Sequence, residues 1–236
     1  NNIKCNDVKF ILGSINDNKI LSKIFSENNV DIVIHAAAYK HVDLIENNIQ
    51  AGIKTNIIGT YNLLEICKKF EVNNFVFISS DKAVRPSSIM GMTKRFSEIL
   101  IQNYYNDNKL NLVFSIVRFG NVIGSTGSVI PIFIDQIQNN KPLTITDPNA
   151  TRFFMTVNEA CKLVLESIVL RNKNNIYLFK MGEPIKIIDL AHKIASFFGS
   201  KISNNEGEWG VKINYTGLKK GEKINEELLV DNDSES

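Results

Sequence analysis

No glycine-rich phosphate loop occurs in this chain: neither G-x-G-x-x-G nor G-x-x-G-x-x-G is found among its 236 residues. Such a loop lets the backbone approach a pyrophosphate at a helix N-terminus, so its absence speaks against a complete dinucleotide site. Cysteine is scarce. Cys5, Cys67 and Cys161 are odd in number and widely spaced, which fits neither a zinc site nor a disulfide framework. They read as reduced, mostly buried thiols of a cytosolic protein. The three histidines lack metal-ligand spacing. Net charge is only +2, too little to point to nucleic acid or a membrane surface. No apolar run approaches the roughly 20 residues needed to span a bilayer. There is no signal-peptide pattern, internal repeat or low-complexity segment. The abundant asparagine reads as compositional bias without chemistry.

What is present is ordinary for a globular protein, 44% hydrophobic and 22% charged, with enough chain to bury a substantial core. Strand and helix patterns alternate. Val8–Leu12, Asp31–His35, Phe75–Ser79 and Leu112–Arg118 read as strands. Helices are expected from about Asp17 to Glu27, across Thr55–Lys69, and from Met90 to about Asn106. This rhythm predicts an α/β fold, a parallel sheet covered on both faces. From Gly120 to Pro148, Gly, Ser and Pro loosen it. Later come a helix near Asn158–Leu170, a strand Ile176–Phe179, a helix Ile187–Phe198, a strand Val211–Tyr215 and a helix at Glu226-Glu227-Leu228-Leu229.

The densest chemistry is Ser79-Ser80-Asp81-Lys82, which closes the apolar run Phe75-Val76-Phe77-Ile78. A hydroxyl, a carboxylate and an ammonium therefore sit together at a strand end, the edge where open α/β sheets bind ligands. Met90 and Lys94 follow four apart and project from one helix face. Taken alone, Asp81-Lys82 would be a solvated surface pair; its strand-end context argues otherwise.

This block resembles the active site of the extended short-chain dehydrogenase/reductases. Ser-Asp-Lys followed by Met-x-x-x-Lys is similar to the UDP-N-acetylglucosamine 4,6-dehydratases of the capsule and glycan branch, with Met90 where most relatives have Tyr. Matching stretches include His35-Ala36-Ala37-Ala38-Tyr39-Lys40-His41-Val42, Thr55-Asn56-Ile57-Ile58-Gly59-Thr60, Arg118-Phe119-Gly120-Asn121-Val122-Ile123-Gly124-Ser125, Thr151-Arg152-Phe153-Phe154-Met155-Thr156 and Gly221-Glu222-Lys223. The resemblance covers nearly the whole chain. It implies a Rossmann-like doubly wound sheet, a partial NAD-binding domain over 1–120, and a mainly UDP-sugar-binding region over 121–236 interleaved with it.

It also implies a reaction. Hydride leaves carbon 4 of the sugar for the nicotinamide, water is eliminated across carbons 5 and 6, and the hydride returns to carbon 6. Asp81 would be the acid for the departing hydroxyl and Lys82 the base at carbon 5, their titrations coupled. Ser80 would bond the carbon 4 oxygen, and Lys94 the nicotinamide ribose. Met90 only packs and accepts weak hydrogen bonds. It resembles the branch retaining configuration at carbon 5, and which group replaces the Tyr base stays open. Ser14, Ile15, Ala36, Ala37, Ala38, Asn56, Lys94, Phe119, Asn121 and Val122 would meet NAD, rather than NADP. Tyr39, Lys40, His41, Asn121, Ser128, Arg152 and Glu222 would meet the UDP-sugar. For His35, a core histidine tying down a loop is favoured over catalysis; for His41 the two readings are balanced. Gly124, Gly127 and Ser128 open a helix that could take a diphosphate, and Arg152 offers a bidentate fork. Lys220, Glu222 and Lys223 read either as a closing loop or as a solvated turn.

Gly13-Ser14 departs from the family's Gly-Asp. With the first strand, glycine loop, first helix and second strand of the family pattern missing, a truncated chain is expected. A cytosolic location and a homo-oligomer are the remaining expectations. The alternatives are a nucleotide-sugar epimerase, another sugar-nucleotide dehydratase, or a non-catalytic fragment.

Overall fold

A computed structural model describes residues 8–108, 112–170, 175–179, 181–203 and 209–228. The first helix, α1 (Asn18–Glu27), begins where Asp17 Oδ1 accepts the amides of Lys19 and Ile20 at 3.0 and 3.2 Å, satisfying two of the orphan donors of a helix start. Its Leu21 and Phe25, four apart, are the buried stripe. Strand β1 (Ile32–His35) leads to the short helices α2 (Val42–Asn47) and α3 (Ile49–Gly52). A π-helical turn, Ile53–Ile58, then runs into α4 (Gly59–Lys69). Strand β2 (Asn74–Ile78), a 3₁₀ turn at Asp81–Ala83, α5 (Ile89–Asn108) and β3 (Val113–Arg118) complete the first half.

Next come β4 (Asn121–Val122), α6 (Val129–Gln138), β5 (Leu143–Ile145), β6 (Thr151–Arg152), β7 (Phe154–Met155) and α7 (Val157–Val169). They are followed by β8 (Asn175–Leu178), β9 (Ile185–Lys186), α8 (Ile187–Phe197), β10 (Ile202–Ser203) and β11 (Val211–Tyr215). The main sheet is parallel throughout, in the order β1-β2-β3-β8. Strand alternation sorts its faces. Phe75, Phe77, Phe114 and Ile116 point into a core with α1, α4 and α5, whereas Val76 and Val117 pack on Val164 of α7. This is the α/β parallel sheet that the alternation predicts and the Rossmann-like arrangement that the resemblance implies. A second core joins α6, α8, β5 and β11 through Phe133, Leu143, Ile145 and Ala191, with β10-β11-β5 as a small parallel sheet.

Three expectations fail. Residues 8–12 form no strand: they pair with no strand among the described residues, and Phe10 and Leu12 are 88% and 97% exposed. A strand is stabilised by its ladder and by burial of a face, and this segment has neither. Glu226–Leu228 form no helix; Asn225 bridges to Thr151 beside β6 instead, because tertiary pairing overrides the helix-forming Glu and Leu. Leu229 and Cys5 lie outside the described residues. Finally, of the thiols expected to be mostly buried, Cys67 is buried but Cys161 is exposed, on the outer side of α7.

Candidate active site

Because the sheet is parallel, the ends of β1, β2 and β3 share one edge, bringing together Ala36–Ala38, Ser79–Lys82 and Phe119–Asn121. Asp81 is wholly buried there. Its Oδ1 accepts from Ser80 Oγ at 2.8 Å and from Lys82 Nζ at 3.0 Å, while Oδ2 has no hydrogen-bond partner among the described residues. Lys82 Nζ also donates to Asn121 Oδ1 at 3.4 Å. The turn is self-capped, since Ser80 Oγ accepts the Lys82 amide at 3.2 Å.

Helix α5 is pinned against this turn. Ser88 Oγ accepts the Gly91 amide at 3.0 Å and Glu46 Oε1 the Ile89 amide at 2.6 Å. A Cβ on Gly91 would stand 2.2 Å from the Lys82 carbonyl oxygen. That approach puts Met90 (buried) and Lys94 beside the turn. The Lys94 Nζ lies 4.1 Å from the Phe77 ring centroid, a cation–π contact. Burial lowers its ammonium to about 8, against the opposing pull of Glu98, so a neutral fraction exists near neutral pH.

Two buried networks hold the edge. Arg118 donates from Nε and Nη2 to the two oxygens of Glu98 at 2.8 and 2.7 Å, and Ser79 Oγ donates to Glu98 Oε1 at 2.6 Å. This bidentate clamp locks β2 and β3 to α5. In the other, Asn56 accepts the Tyr39 amide at 2.8 Å and donates to the Tyr39 carbonyl at 3.1 Å and to Thr93 Oγ1 at 2.9 Å. Asn56 is thus buried bracing for the loop after β1. Thr60 Oγ1 donates to the Asn56 carbonyl at 2.6 Å, so it accepts from His35 Nε2 at 2.9 Å, fixing that nitrogen as the protonated one. Burial first, and Lys94 second, push His35 down to about 3; it is a core histidine, bonded to α4 rather than tying down a loop.

The remaining expected residues lie at or near this edge. Ala36, Ala37, Tyr39 and Lys40 are exposed, and Ala38 and His41 half-buried. Gly127 has φ +71°, and a Cβ there would meet His41 Cε1 at 2.6 Å. Ser128 precedes α6, its Oγ buried and without a partner among the described residues. Ser14 is exposed, and its Oγ accepts the Asn16 amide at 3.2 Å. Ile15 packs against Gly59, where a Cβ would come within 2.5 Å of its Cδ1. Phe119 and Val122 are half-buried around Gly120. An open cleft of about 480 Å³, lined in part by Phe154, Met155 and Met181, adjoins this edge through Met181, whose sulfur accepts the Gly120 amide at 3.1 Å; none of the charged residues at the edge lines it. Arg152 spends its fork on the protein. Nη2 donates to Glu222 Oε1 at 2.8 Å, and Nη1 to the Thr151 and Ile224 carbonyls at 2.7 and 2.9 Å.

Residues 219–227 form a strap across the edge. Lys219 pairs with Asp43, Lys220 with Glu46 and Arg85 with Glu227, while Lys223 Nζ donates to the Val84 carbonyl at 2.9 Å. The strap buries Glu226 against Lys82 at 3.7 Å, a neighbour that reading a helix there concealed. Glu98 was detectable, lying four residues after Lys94 on one helix face.

Over residues 1–236 the sequence matches the family described as polysaccharide biosynthesis protein. The chain belongs to this family. Within it, the capsular polysaccharide biosynthesis protein CapD of Staphylococcus aureus is 42% identical over 97% of this chain and 37% of its own length. An inverting UDP-N-acetylglucosamine 4,6-dehydratase of Campylobacter jejuni is 36% identical over 97% of this chain and 64% of its own. A UDP-glucose 4-epimerase of Rickettsia canadensis is also 36% identical, over 96% and 63%. The chain thus spans between about a third and two thirds of these relatives. The solved structure of Pen from Bacillus thuringiensis superposes with a TM-score of 0.86 at 34% identity, covering 96% of this chain and 68% of that one.

Proposed function

We propose that this chain is the catalytic portion of a nucleotide-sugar 4,6-dehydratase acting on UDP-N-acetylglucosamine with NAD. The reading rests on one observation, the fully buried Asp81 bonded to both Ser80 and Lys82 at the strand end. An elimination needs an acid and a base on one substrate, and a single proton transfer from Lys82 Nζ to Asp81 Oδ1 turns the ion pair into both. The Asp81 carboxylic acid then protonates the leaving carbon 6 hydroxyl, and the Lys82 amine takes the carbon 5 proton. Ser80 orients the carbon 4 oxygen. Lys94, held near its titration range, supplies positive potential where that oxygen loses its proton.

The residues present fit the nicotinamide end of NAD. The exposed Ala36 and Ala37 leave the strand edge open to close approach, and Lys94 lies over Phe77 of β2. The described residues offer no glycine loop for its pyrophosphate. NAD, if bound there, would supply the hydride acceptor for carbon 4 and the hydride donor for carbon 6. For the UDP moiety, Ser128 Oγ, without a partner among the described residues, offers a hydroxyl at the start of α6. Tyr39, Lys40 and His41 border the sugar.

A second reading, 4-epimerisation, is favoured by the Rickettsia relative. Incubation of the protein with UDP-N-acetylglucosamine and NAD in heavy water, followed by proton NMR, separates the two. A new carbon 6 methyl signal with deuterium at carbon 5 is the expected result. Conversion to the carbon 4 epimer without a methyl signal would replace the dehydratase reading with the epimerase. No turnover would favour a non-catalytic fragment. The same reading carries a cytosolic reaction and a homo-oligomer, the latter checked by light scattering. No described helix is long and apolar enough to cross a membrane.

A further inference from the structure

The Lys82 ammonium faces two buried carboxyl groups. It bonds Asp81 Oδ1 at 3.0 Å and stands 3.7 Å from Glu226 Oε1, the Glu226 side chain being 4% exposed. Each carboxyl group has one oxygen toward Lys82 and one, Asp81 Oδ2 or Glu226 Oε2, without a hydrogen-bond partner among the described residues. Two further cations face Glu226 but are engaged elsewhere: Arg152 with Glu222 at 2.8 Å, and Lys223 with the Val84 carbonyl at 2.9 Å and with Glu227 at 3.6 Å. Two ionised carboxylates would thus share one near cation in a site shielded from water, at a high desolvation cost. Asp81 has two hydrogen bonds to stabilise its charge. Among the described residues Glu226 has only the longer ionic contact.

We propose that Glu226 is a positioning residue of the site, standing in the resting protein as the neutral carboxylic acid so that the Lys82 ammonium is left to Asp81. Burial acts in the required direction, raising the Glu226 carboxyl above its usual range; Asp81 adds to this, while Lys82, Arg152 and Lys223 oppose it. The catalytic meaning rests on the dehydratase reading. With Glu226 neutral, Lys82 hands its proton to Asp81 against a single carboxylate. With Glu226 ionised, a second negative charge holds that proton on Nζ, and the base at carbon 5 is lost. Turnover therefore falls as pH rises through the Glu226 titration.

The test is a carboxyl-carbon NMR titration of protein labelled at glutamate, with Glu226→Gln to assign the resonance. One glutamate is expected to titrate above the ordinary carboxylate range and to be still protonated at the pH of the turnover assay, and to move down in Asp81→Asn. A Glu226 already ionised at that pH, or one unmoved by Asp81→Asn, overturns the proposal. On the turnover profile, the alkaline limb should shift by at least about one pH unit in Glu226→Gln and persist in Glu226→Asp. Identical limbs in wild type and Glu226→Gln also overturn it. Absence of turnover in the wild type would sink the dehydratase reading alone, because the titration still decides the state of Glu226.

Discussion

Asp81 sits where a carboxylate is costly. It is wholly buried, and its Oδ2 has no partner among the described residues, so Asp81→Asn removes a buried charge. We expect turnover to fall by about 10² to 10⁴-fold while the melting temperature does not drop, measured on the same preparation. A lower melting temperature would mean that the residue is structural. His35 makes the opposite statement about acid. Its folded value, about 3, lies below the unfolded 6.5, so between those pH values the unfolded chain binds the extra proton. The stability from neutral His35 is complete above 6.5 and is lost as pH falls toward 3, by at most about 1.4 kcal/mol per pH unit. Melting temperature should fall as pH is lowered through that window in the wild type, and less steeply in His35→Gln.

At the scale of elements, α5 and the 3₁₀ turn are one unit. Helix propensity alone favours Gly91→Ala by about 1 kcal/mol. The 2.2 Å approach of its Cβ to the Lys82 carbonyl overrides that, because the obstructing atom is backbone. Gly91→Ala should therefore lower both stability and turnover, read by chemical denaturation and by the NMR assay. A stabilised variant would show that the turn yields freely. The main parallel strands and long helices were legible from periodicity, and Ser80, Asp81, Lys82 and Lys94 from the strand-end position. Two features were not legible. The π-helical turn at Ile53–Ile58 is held by side chains from other elements, Ser97 Oγ donating to the Asn56 carbonyl at 2.8 Å. The fates of 8–12 and 226–228 depend on ladder partners, which no local pattern encodes.

Across the whole molecule, the strap joins the two halves: Lys219, Lys220 and Lys223 reach the first, and Glu222 holds Arg152 of the second, a partly buried carboxylate and a buried guanidinium at 2.8 Å. Removing one partner leaves the other uncompensated, so Arg152→Met should cost roughly 3 kcal/mol. The double variant Arg152→Met, Glu222→Met should recover part of that loss in denaturant unfolding, an interaction energy of about 1 kcal/mol or more. Strict additivity would mean that the pair is not coupled. Sequence reading offered Arg152 to a phosphate for its bidentate fork; in the fold that fork is taken up by Glu222, 70 positions away.

The strap also sets an order of assembly. Arg85 and Glu227 are 142 positions apart, and Val84 and Lys223 are 139 apart. A chain leaving the ribosome has made the Ser80–Lys82 turn and α5 long before Glu226 exists. During synthesis the Lys82 ammonium has Asp81 but not its second carboxyl neighbour. The pocket is therefore finished by a late, long-range closure rather than by the local folding that shapes the turn.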